Sequence, residues 1–492
     1  MTNIDQYIYT PASVREMDRI AIEQVGIEGY ELMSRAGAGA FTDIRSCFPD
    51  CRHWLVLCGA GNNAGDGYVI ARLARAAGLD VTTMALTDPD SLNGDAHKAW
   101  QDYQNAGGAV AAFDERIADK SDLIIDACLG TGIDRPVSGH YAQVINWVNN
   151  SEAPCVAVDV PSGLNSASGA VMGAAIKADL TVTFVGLKQG FYLADGPDHC
   201  GDILFHDLEI PATAVTGVEP SLLRFNQDHL AALLPPRQRS DHKGRFGHVL
   251  VIGGNHGMAG AVRLCGEAAL RSGAGLVSVA TRDASVAPVV AGRPELMVRG
   301  FESGDDIDDL LERATVIALG PGLGQDDWSQ HLFSRVMECP QPKVLDADAL
   351  NLLAAEPARQ DQWVLTPHPG EAARLLGCSA AEVQSDRPAA LAELTERYGG
   401  TVILKGNNTL IGDAGHKPYL VDRGNPGMAT AGMGDVLTGL VAGLLAQQPD
   451  HLFEVAAAAV YVHAMAGDIA AEQGLRSLIA GDLFAPLRII LE

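Results

Sequence analysis

Short apolar runs recur along this chain, with amphipathic stretches between several of them. In the first half they are His53–Cys58, Val81–Leu86, Leu123–Asp126, Cys155–Asp159 and Leu180–Phe184. Runs this short and rich in Val, Leu and Ile read as buried strands. From Ser13 to about Phe41 the apolar positions follow helical spacing: Val14, Met17, Ile20 and Ala21, then Leu32, Met33 and Ala36. Residues 67–77 repeat it with Val69, Ile70, Leu73 and Ala74. This βαβ rhythm predicts a largely parallel, doubly wound sheet.

The rhythm restarts in the second half. His248–Ile252 reads as a strand ending in Gly253-Gly254, followed by a helix over 259–272 and a strand over Leu276–Ala280. Val316–Leu319 runs into Gly320-Pro321-Gly322-Leu323-Gly324, and a strand beginning at Val344 ends at Asp346-Ala347-Asp348. Thr401–Leu404 leads to Lys405, and Ala- and Leu-rich helices are predicted over 434–446 and 451–473. Residues 211–222 have two prolines and no period, which places a domain junction there. The expected domains are therefore 1–222 and 223–492, with 235–240 as a second candidate junction. A chain of 492 residues is also too long for one ordinary core.

Composition narrows the class. Hydrophobic residues make up 47% and aromatics only 5%, as in α/β proteins with buried parallel strands. The net charge of −26 argues against nucleic acid and anionic membrane as partners. It leaves anionic substrates open, because backbone N–H groups and helix N-termini bind them locally. The nine cysteines are scattered; Cys47 and Cys51 have no second pair to complete a zinc pattern, so reduced thiols in a cytoplasmic protein are expected. The N-terminus lacks a signal-like apolar region and no apolar run reaches about 18 residues, so no membrane span is expected.

Two unlike glycine-rich loops carry the candidate chemistry. The first, Gly59 to Gly67, resembles a dinucleotide loop but inserts Asn62, Asn63 and Asp66, with Ala64 at the third glycine position. Its amides and carboxylate could coordinate a cation or orient a sugar and phosphate. Asp126 ends a strand ahead of a second loop, Gly130-Thr131-Gly132-Ile133-Asp134-Arg135-Pro136, and Asp159 ends another ahead of Pro161-Ser162-Gly163. Carboxyl ends of strands line the crevice of an open α/β sheet, so Asp126 and Asp159 are expected to converge with Asn63.

The second loop, Thr430 to Gly439, puts backbone N–H groups and Asp435 at a helix start. Such a nest binds anions, and Asp435 would stand where a substrate hydroxyl meets a phosphate. Lys405-Gly406-Asn407-Asn408-Thr409 offers a cation and donors to a nucleotide, and His368 sits between prolines after a strand.

Residues 10–210, through these motifs and Leu32–Gly37, resemble the NAD(P)H-hydrate epimerase family, with Ala64 where that family usually has glycine. Residues 225–492 resemble the ADP-dependent NAD(P)H-hydrate dehydratases, a branch of the ribokinase-like fold. The resemblance implies a Rossmann-like three-layer domain followed by a ribokinase-like α/β domain. The first would interconvert the R and S hydrates of NADH and NADPH (NADHX and NADPHX) at nicotinamide C6. Asn62, Asn63, Ala64, Gly65, Asp66 and Gly130 to Pro136 would contact the substrate. Asn63, Asp126 and Ser162 would hold K+, and Asp159 would contact the substrate as candidate base. The second would use ADP with Mg2+ to phosphorylate the S hydrate, from which phosphate then leaves. Ala261, Gly322, His368 and Asp435 would contact the hydrate, with Asp435 as catalytic base. Lys405 to Thr409 and Gly434 would contact the adenine nucleotide. A homo-oligomer is expected.

Two other readings stay open at this level. One is an ordinary small-molecule kinase with a fused nucleotide-binding domain. The other is a first half that only senses dinucleotide and regulates the second.

Overall fold

The computed structural model describes residues 6–211, 215–234, 236–302 and 307–492. Two compact units divide between Leu222 and Leu223. Residues 212–214 of the proline-rich junction, and Pro235 at the second candidate junction, lie outside the described residues.

The strands of the first unit are β1 (Tyr7–Tyr9), β2 (His53–Cys58), β3 (Asp80–Ala85), β4 (Val110–Ala112), β5 (Leu123–Ala127), β6 (Cys155–Val158), β7 (Leu180–Phe184), β8 (Leu187–Lys188) and β9 (Asp202–His206). The main sheet is parallel throughout, in the order β4-β3-β2-β5-β6-β7-β9, and β1 pairs in parallel with β8 outside that sheet. Strand order reverses between β2 and β5. The crevice at their carboxyl ends is the ligand position of a doubly wound sheet. One apolar cluster covers one face of this sheet through Val56, Ile125 and Val158, and another covers the opposite face through Leu57, Ile124 and Ala157. That two-faced burial explains why the strands read as continuous apolar runs.

Two expected boundaries shift. The amphipathic stretch from Ser13 to Phe41 is two helices, Pro11–Ile20 and Gly29–Cys47. A π-helical turn separates them and ends at Gly26 in the left-handed region, φ +86°. The helix expected from residue 67 begins at Asn62. Most of the first glycine motif is therefore the helix's first turns, leaving only residues 59–61 as the loop. Gly59 is dictated by close approach, since a Cβ there would lie 1.8 Å from the Cys128 carbonyl oxygen.

The second unit contains all but the first residue of β10 (Leu222–Arg224), and β11 (His248–Ile252), β12 (Leu276–Thr281), β13 (Met297–Gly300), β14 (Val316–Leu319), β15 (Lys343–Leu345), β16 (Trp363–Leu365), β17 (Thr401–Leu404), β18 (Thr409–Gly412) and β19 (Tyr419–Val421). Their order is β13-β12-β11-β14-β15-β16-β17-β18-β19-β10. Pairing is parallel from β13 to β17 and antiparallel through β17-β18-β19. The candidate residues after β11, β14, β16 and β17 thus emerge at one end of the sheet.

The helix Leu452–Ala471 is long and apolar enough to cross a membrane by length and composition alone. Sixty-seven per cent of its most apolar window is buried inside the protein, where Val455 to Val462 join the core. Apolar residues all round its circumference mark a central core helix.

The helices Ala259–Arg271 and Met433–Leu445 cross closely. A Cβ at Gly439 would lie 2.1 Å from the Cys265 carbonyl oxygen, so only hydrogen fits at the crossing. Gly439→Ala is expected to destabilise the second unit by about 1–3 kcal/mol through overpacking. Urea unfolding followed by circular dichroism would read this as a lower midpoint, and an unchanged midpoint would contradict it.

Candidate functional site

In the first unit a cavity of about 1090 Å³ opens at the carboxyl ends of β2, β5 and β6. Asn62, Asn63, Asp66, Gly130 to Pro136 and Asp159 all line it. Ala64 and Gly65 do not. Ala64 is fully buried, and a Cβ at Gly65 would strike the Met33 side chain and the Ala96 backbone, so both positions serve helix packing.

Asp126 and Ser162 bond to each other, and Asn63, on the cavity wall, is linked to them through the Leu129 backbone. Asp126 accepts hydrogen bonds from the Ser162 backbone N–H at 2.8 Å, the Ser162 hydroxyl at 2.6 Å and the Cys128 N–H at 3.2 Å. Ser162 Oγ accepts from Leu129 N–H at 2.8 Å, while Asn63 Nδ2 donates to the Leu129 carbonyl at 3.2 Å. Burial raises the Asp126 pKa, against the bonds from Ser162 and Cys128. Asn63 Oδ1 is buried without a hydrogen-bond partner. An orphaned carbonyl oxygen and a buried carboxyl, linked through Leu129 and Ser162, offer oxygen donors of the kind that suits a hard cation. Asp159 belongs to a different group.

Two members of that group, Lys188 and Asp18, were not foreseen. Lys188, 1% exposed, donates from Nζ to Asp159 Oδ1 at 2.5 Å, to Thr183 Oγ1 at 2.8 Å and to the Phe184 carbonyl at 2.8 Å. Asp18 and Asp66 face the same cavity. Burial raises Asp18 to about 6, opposed by Lys188 and reinforced by Asp159. Burial, with Asp159 and Asp18 adding to it, holds Asp66 well above the carboxylate range. Asp159 has φ +66° and Val185, on the same cavity, φ +67°. A β-branched residue at positive φ is costly and persists where the surroundings over-determine it, often at active sites. Asp18 carried a sequence signal, since it falls on the apolar stripe with Val14 and Ala21. Lys188 carried none beyond its apolar neighbours.

In the second unit the network centres on Asp346, just after β15. It accepts from Lys405 Nζ at 2.8 Å, Thr366 Oγ1 at 2.7 Å and Thr438 Oγ1 at 2.9 Å. Burial opposes its charge, but Lys405 and the two hydroxyls outweigh that and lower its pKa. Burial likewise works against the Lys405 ammonium, yet Asp346, Glu371 and Asp435 raise its pKa overall. A Cβ on Gly434 would sit 3.5 Å from both Asp346 Oδ2 and Lys405 Nζ, so the helix start and the lysine converge. Gly432, in the left-handed region at φ +90°, turns the chain into that helix. Asp435 in its first turn is raised to about 7 by burial and by Asp346, with Lys405 opposing. His463 donates from Nε2 to the Met433 carbonyl at 3.0 Å; burial lowers it to about 4, so it stays neutral.

His368 caps the helix Pro369–Leu376, its Nδ1 accepting from Gly370 N–H at 3.0 Å. Its ring is half exposed, and the adjacent Pro367 carbonyl accepts from Lys405 N–H at 2.9 Å. Ala261 and Gly322 are neighbours: a Cβ on Gly322 would lie 3.2 Å from the Ala261 Cβ. Residues 405–409 turn from β17 into β18, with Asn408 at φ +57°. Arg387, also unforeseen, donates to the carbonyls of Leu404 at 3.1 Å and Asn407 at 2.5 Å and so fixes that turn.

Fold and sites define a chain with two separate α/β active-site units, one Rossmann-like and one ribokinase-like, each with its own raised carboxyl. A family model described as NAD(P)H-hydrate dehydratase matches residues 249–487, and one described as YjeF-related protein N-terminus matches residues 29–190. A bifunctional NAD(P)H-hydrate repair enzyme from Coxiella burnetii is 46% identical over 98% of this chain and 99% of its own length. One from Escherichia coli is 44% identical over 99% of this chain and 95% of its own. A ribokinase-like superfamily protein structure from Enterococcus faecalis superposes with a TM-score of 0.51 at 33% identity, covering 55% of this chain and 95% of that one. The chain belongs to the family of bifunctional NAD(P)H-hydrate repair enzymes.

Proposed function

We propose that this chain repairs hydrated NADH and NADPH. The first unit epimerises the R and S hydrates, and the second dehydrates the S hydrate with ADP as phosphoryl donor. The observation that carries the reading is a separate acid–base carboxyl site in each unit of a chain whose relatives share its full length. Absorbance recovery on a mixture of R and S NADH hydrates, with and without ADP and Mg2+, tests it. Complete ADP-dependent recovery is expected, and recovery that stops at the S fraction would remove the epimerase.

In the second unit, Asp435 takes the proton of the C6 hydroxyl as that oxygen accepts a phosphoryl group from ADP, leaving AMP. The C6–O bond then breaks, phosphate departs with its electron pair, and loss of a proton from the neighbouring ring carbon restores the reduced dinucleotide. The N-terminus of the Met433–Leu445 helix faces the developing phosphoryl charge, and Lys405, held by Asp346, adds a cation beside it. Mg2+ carried with the nucleotide would supply further charge neutralisation. The geometry also supports substrate contact by Ala261, Gly322 and His368, and nucleotide contact by Lys405 to Thr409 and Gly434.

A general base works only when ionised. Asp435 is raised to about 7, so dehydration is expected to rise about tenfold per pH unit below about 7 and to level above it. A rate flat between pH 5 and 8 on non-titrating substrate would remove Asp435 as the base.

In the first unit, Asn63 Oδ1, Asp126 and Ser162 Oγ would hold K+. The ion would supply fixed positive charge behind the Leu129 loop that shapes the cavity wall. Replacing K+ with the smaller Li+ is expected to slow epimerisation and leave dehydration of pure S hydrate unchanged. Equal rates of epimerisation in both salts would argue against the site. The nine free cysteines support a reducing compartment, and we place the enzyme in the cytoplasm. We further propose a homo-oligomer, supported by exposed Ile479 and Ile489; sedimentation velocity tests it.

A further inference from the structure

Four ionisable groups, Asp18, Asp66, Asp159 and Lys188, crowd the cavity of the first unit, three carboxyls to one ammonium. All three N–H bonds of Lys188 are engaged, by Asp159, Thr183 and the Phe184 carbonyl. None is left for the other two carboxyls. Asp66 has no hydrogen-bond partner among the described residues and faces the carboxyls of Asp18 and Asp159. Arg15, Asp95, Asp134 and Arg135 also line the cavity. Burial and the Asp159 and Asp18 carboxyls favour the neutral form of Asp66, while the Lys188 ammonium pairs with the Asp159 carboxylate.

The topology brings these two carboxyls to the cavity on different elements. Asp66 rides on the helix that follows β2, and Asp159 stands at the end of β6. In the sheet, β5 lies between β2 and β6. Both carboxyls line the same cavity, so a ligand over the end of β5 can meet each of them from a different element.

Inverting a carbinol carbon by exchange of its oxygen needs a group of this kind on each face. The leaving oxygen must gain a proton, and the entering water must lose one. We propose that Asp66 is the second catalytic group of the epimerisation, the acid that protonates the departing C6 hydroxyl while Asp159 receives the proton of water entering on the opposite face. This rests on the epimerase reading of the first unit. In the step, the C6–O bond breaks, its electron pair stays on oxygen, and the Asp66 proton completes a water molecule. The lone pair of ring N1 forms a C6=N1 double bond. Water then adds to C6 from the other face, its proton passes to Asp159, and the electron pair returns to N1. One proton has moved from Asp66 to Asp159 and one water has exchanged. Inversion in the opposite sense runs the same transfers backwards, and the open cavity lets solvent reset the pair.

The test uses the full chain with purified R hydrate in H2(18)O. The wild type is expected to place one solvent oxygen at C6 per inversion. Asp66→Asn, nearly isosteric with the neutral carboxyl, is expected to lower epimerisation kcat about 10²–10⁴-fold with little change in KM. The same sample should dehydrate pure S hydrate normally. Because the acid must be protonated, wild-type epimerisation should fall as pH rises past its titration, and Asp66→Asn should lose that limb. Wild-type kcat in Asp66→Asn would overturn the assignment. So would inversion without uptake of solvent oxygen, a result that needs no variant to fold. A wild-type enzyme that leaves the R/S ratio untouched would instead overturn the epimerase reading, and this assignment with it.

Discussion

Asp435→Asn is expected to lower ADP-dependent dehydration by about 10²–10⁴-fold while leaving the rate of R/S interconversion unchanged. The carboxyl is raised to about 7 by burial and by the nearby Asp346, so near neutral pH it can both receive and release a proton. An amide there keeps the shape of the helix start and removes the base. The Asp346–Lys405–Thr366–Thr438 network does not include Asp435 among its hydrogen bonds, so the variant should fold. KM for ADP should change little, because Lys405 and the helix N-terminus remain. Loss of both activities together would contradict two independent sites. Retention of dehydration would leave positioning and electrostatics as the whole of that mechanism.

The second large effect is at Asp159. Asp159→Asn is expected to slow epimerisation by about 10²–10⁴-fold and to spare dehydration of S hydrate. It should also destabilise the first unit, because Lys188 is 1% exposed and loses its paired charge. Removing one partner of a buried pair costs about 3–5 kcal/mol, and nearby Asp18 and Asp66 would reduce that by ionising. The pair can be separated from the catalytic role with a double variant, Asp159→Asn with Lys188→Met, which deletes both charges. Urea unfolding should show the double variant recovering much of the lost stability without recovering activity. Recovered activity would mean that Asp159 serves only to neutralise Lys188. Full epimerisation in the single variant would remove Asp159 from the chemistry.

The two variants bear on separate sites in different compact units. Their joint prediction is a clean division: one activity lost in each, the other kept. A dehydratase acting on one epimer leaves the other behind unless an epimerase supplies it, which gives a chemical reason for both activities to reside on one chain.

The alternation of apolar runs and helical spacing determined the central strands, though not the short edge strands, from the sequence alone. His248–Ile252, Val316–Leu319, Thr401–Leu404 and Leu180–Phe184 form as read, because parallel strands buried on both faces need continuous apolar residues whatever lies around them. The glycine motifs likewise announced the crevices, since Gly59 and Gly432 answer local demands of close approach and left-handed backbone. Tertiary structure decided the rest. Periodicity carries no sign of where a helix breaks when both pieces share an apolar face, so Gly26 went unread, and the helix start at Asn62 was hidden inside its own motif. The membrane-length helix Leu452–Ala471 is a core element only because sheet and helices cover it. Above all, the pairings that tune the chemistry join residues far apart in sequence: Lys188 with Asp159, and Lys405 with Asp346. A proton affinity depends on burial and on nearby charges, and both exist only once the chain has folded.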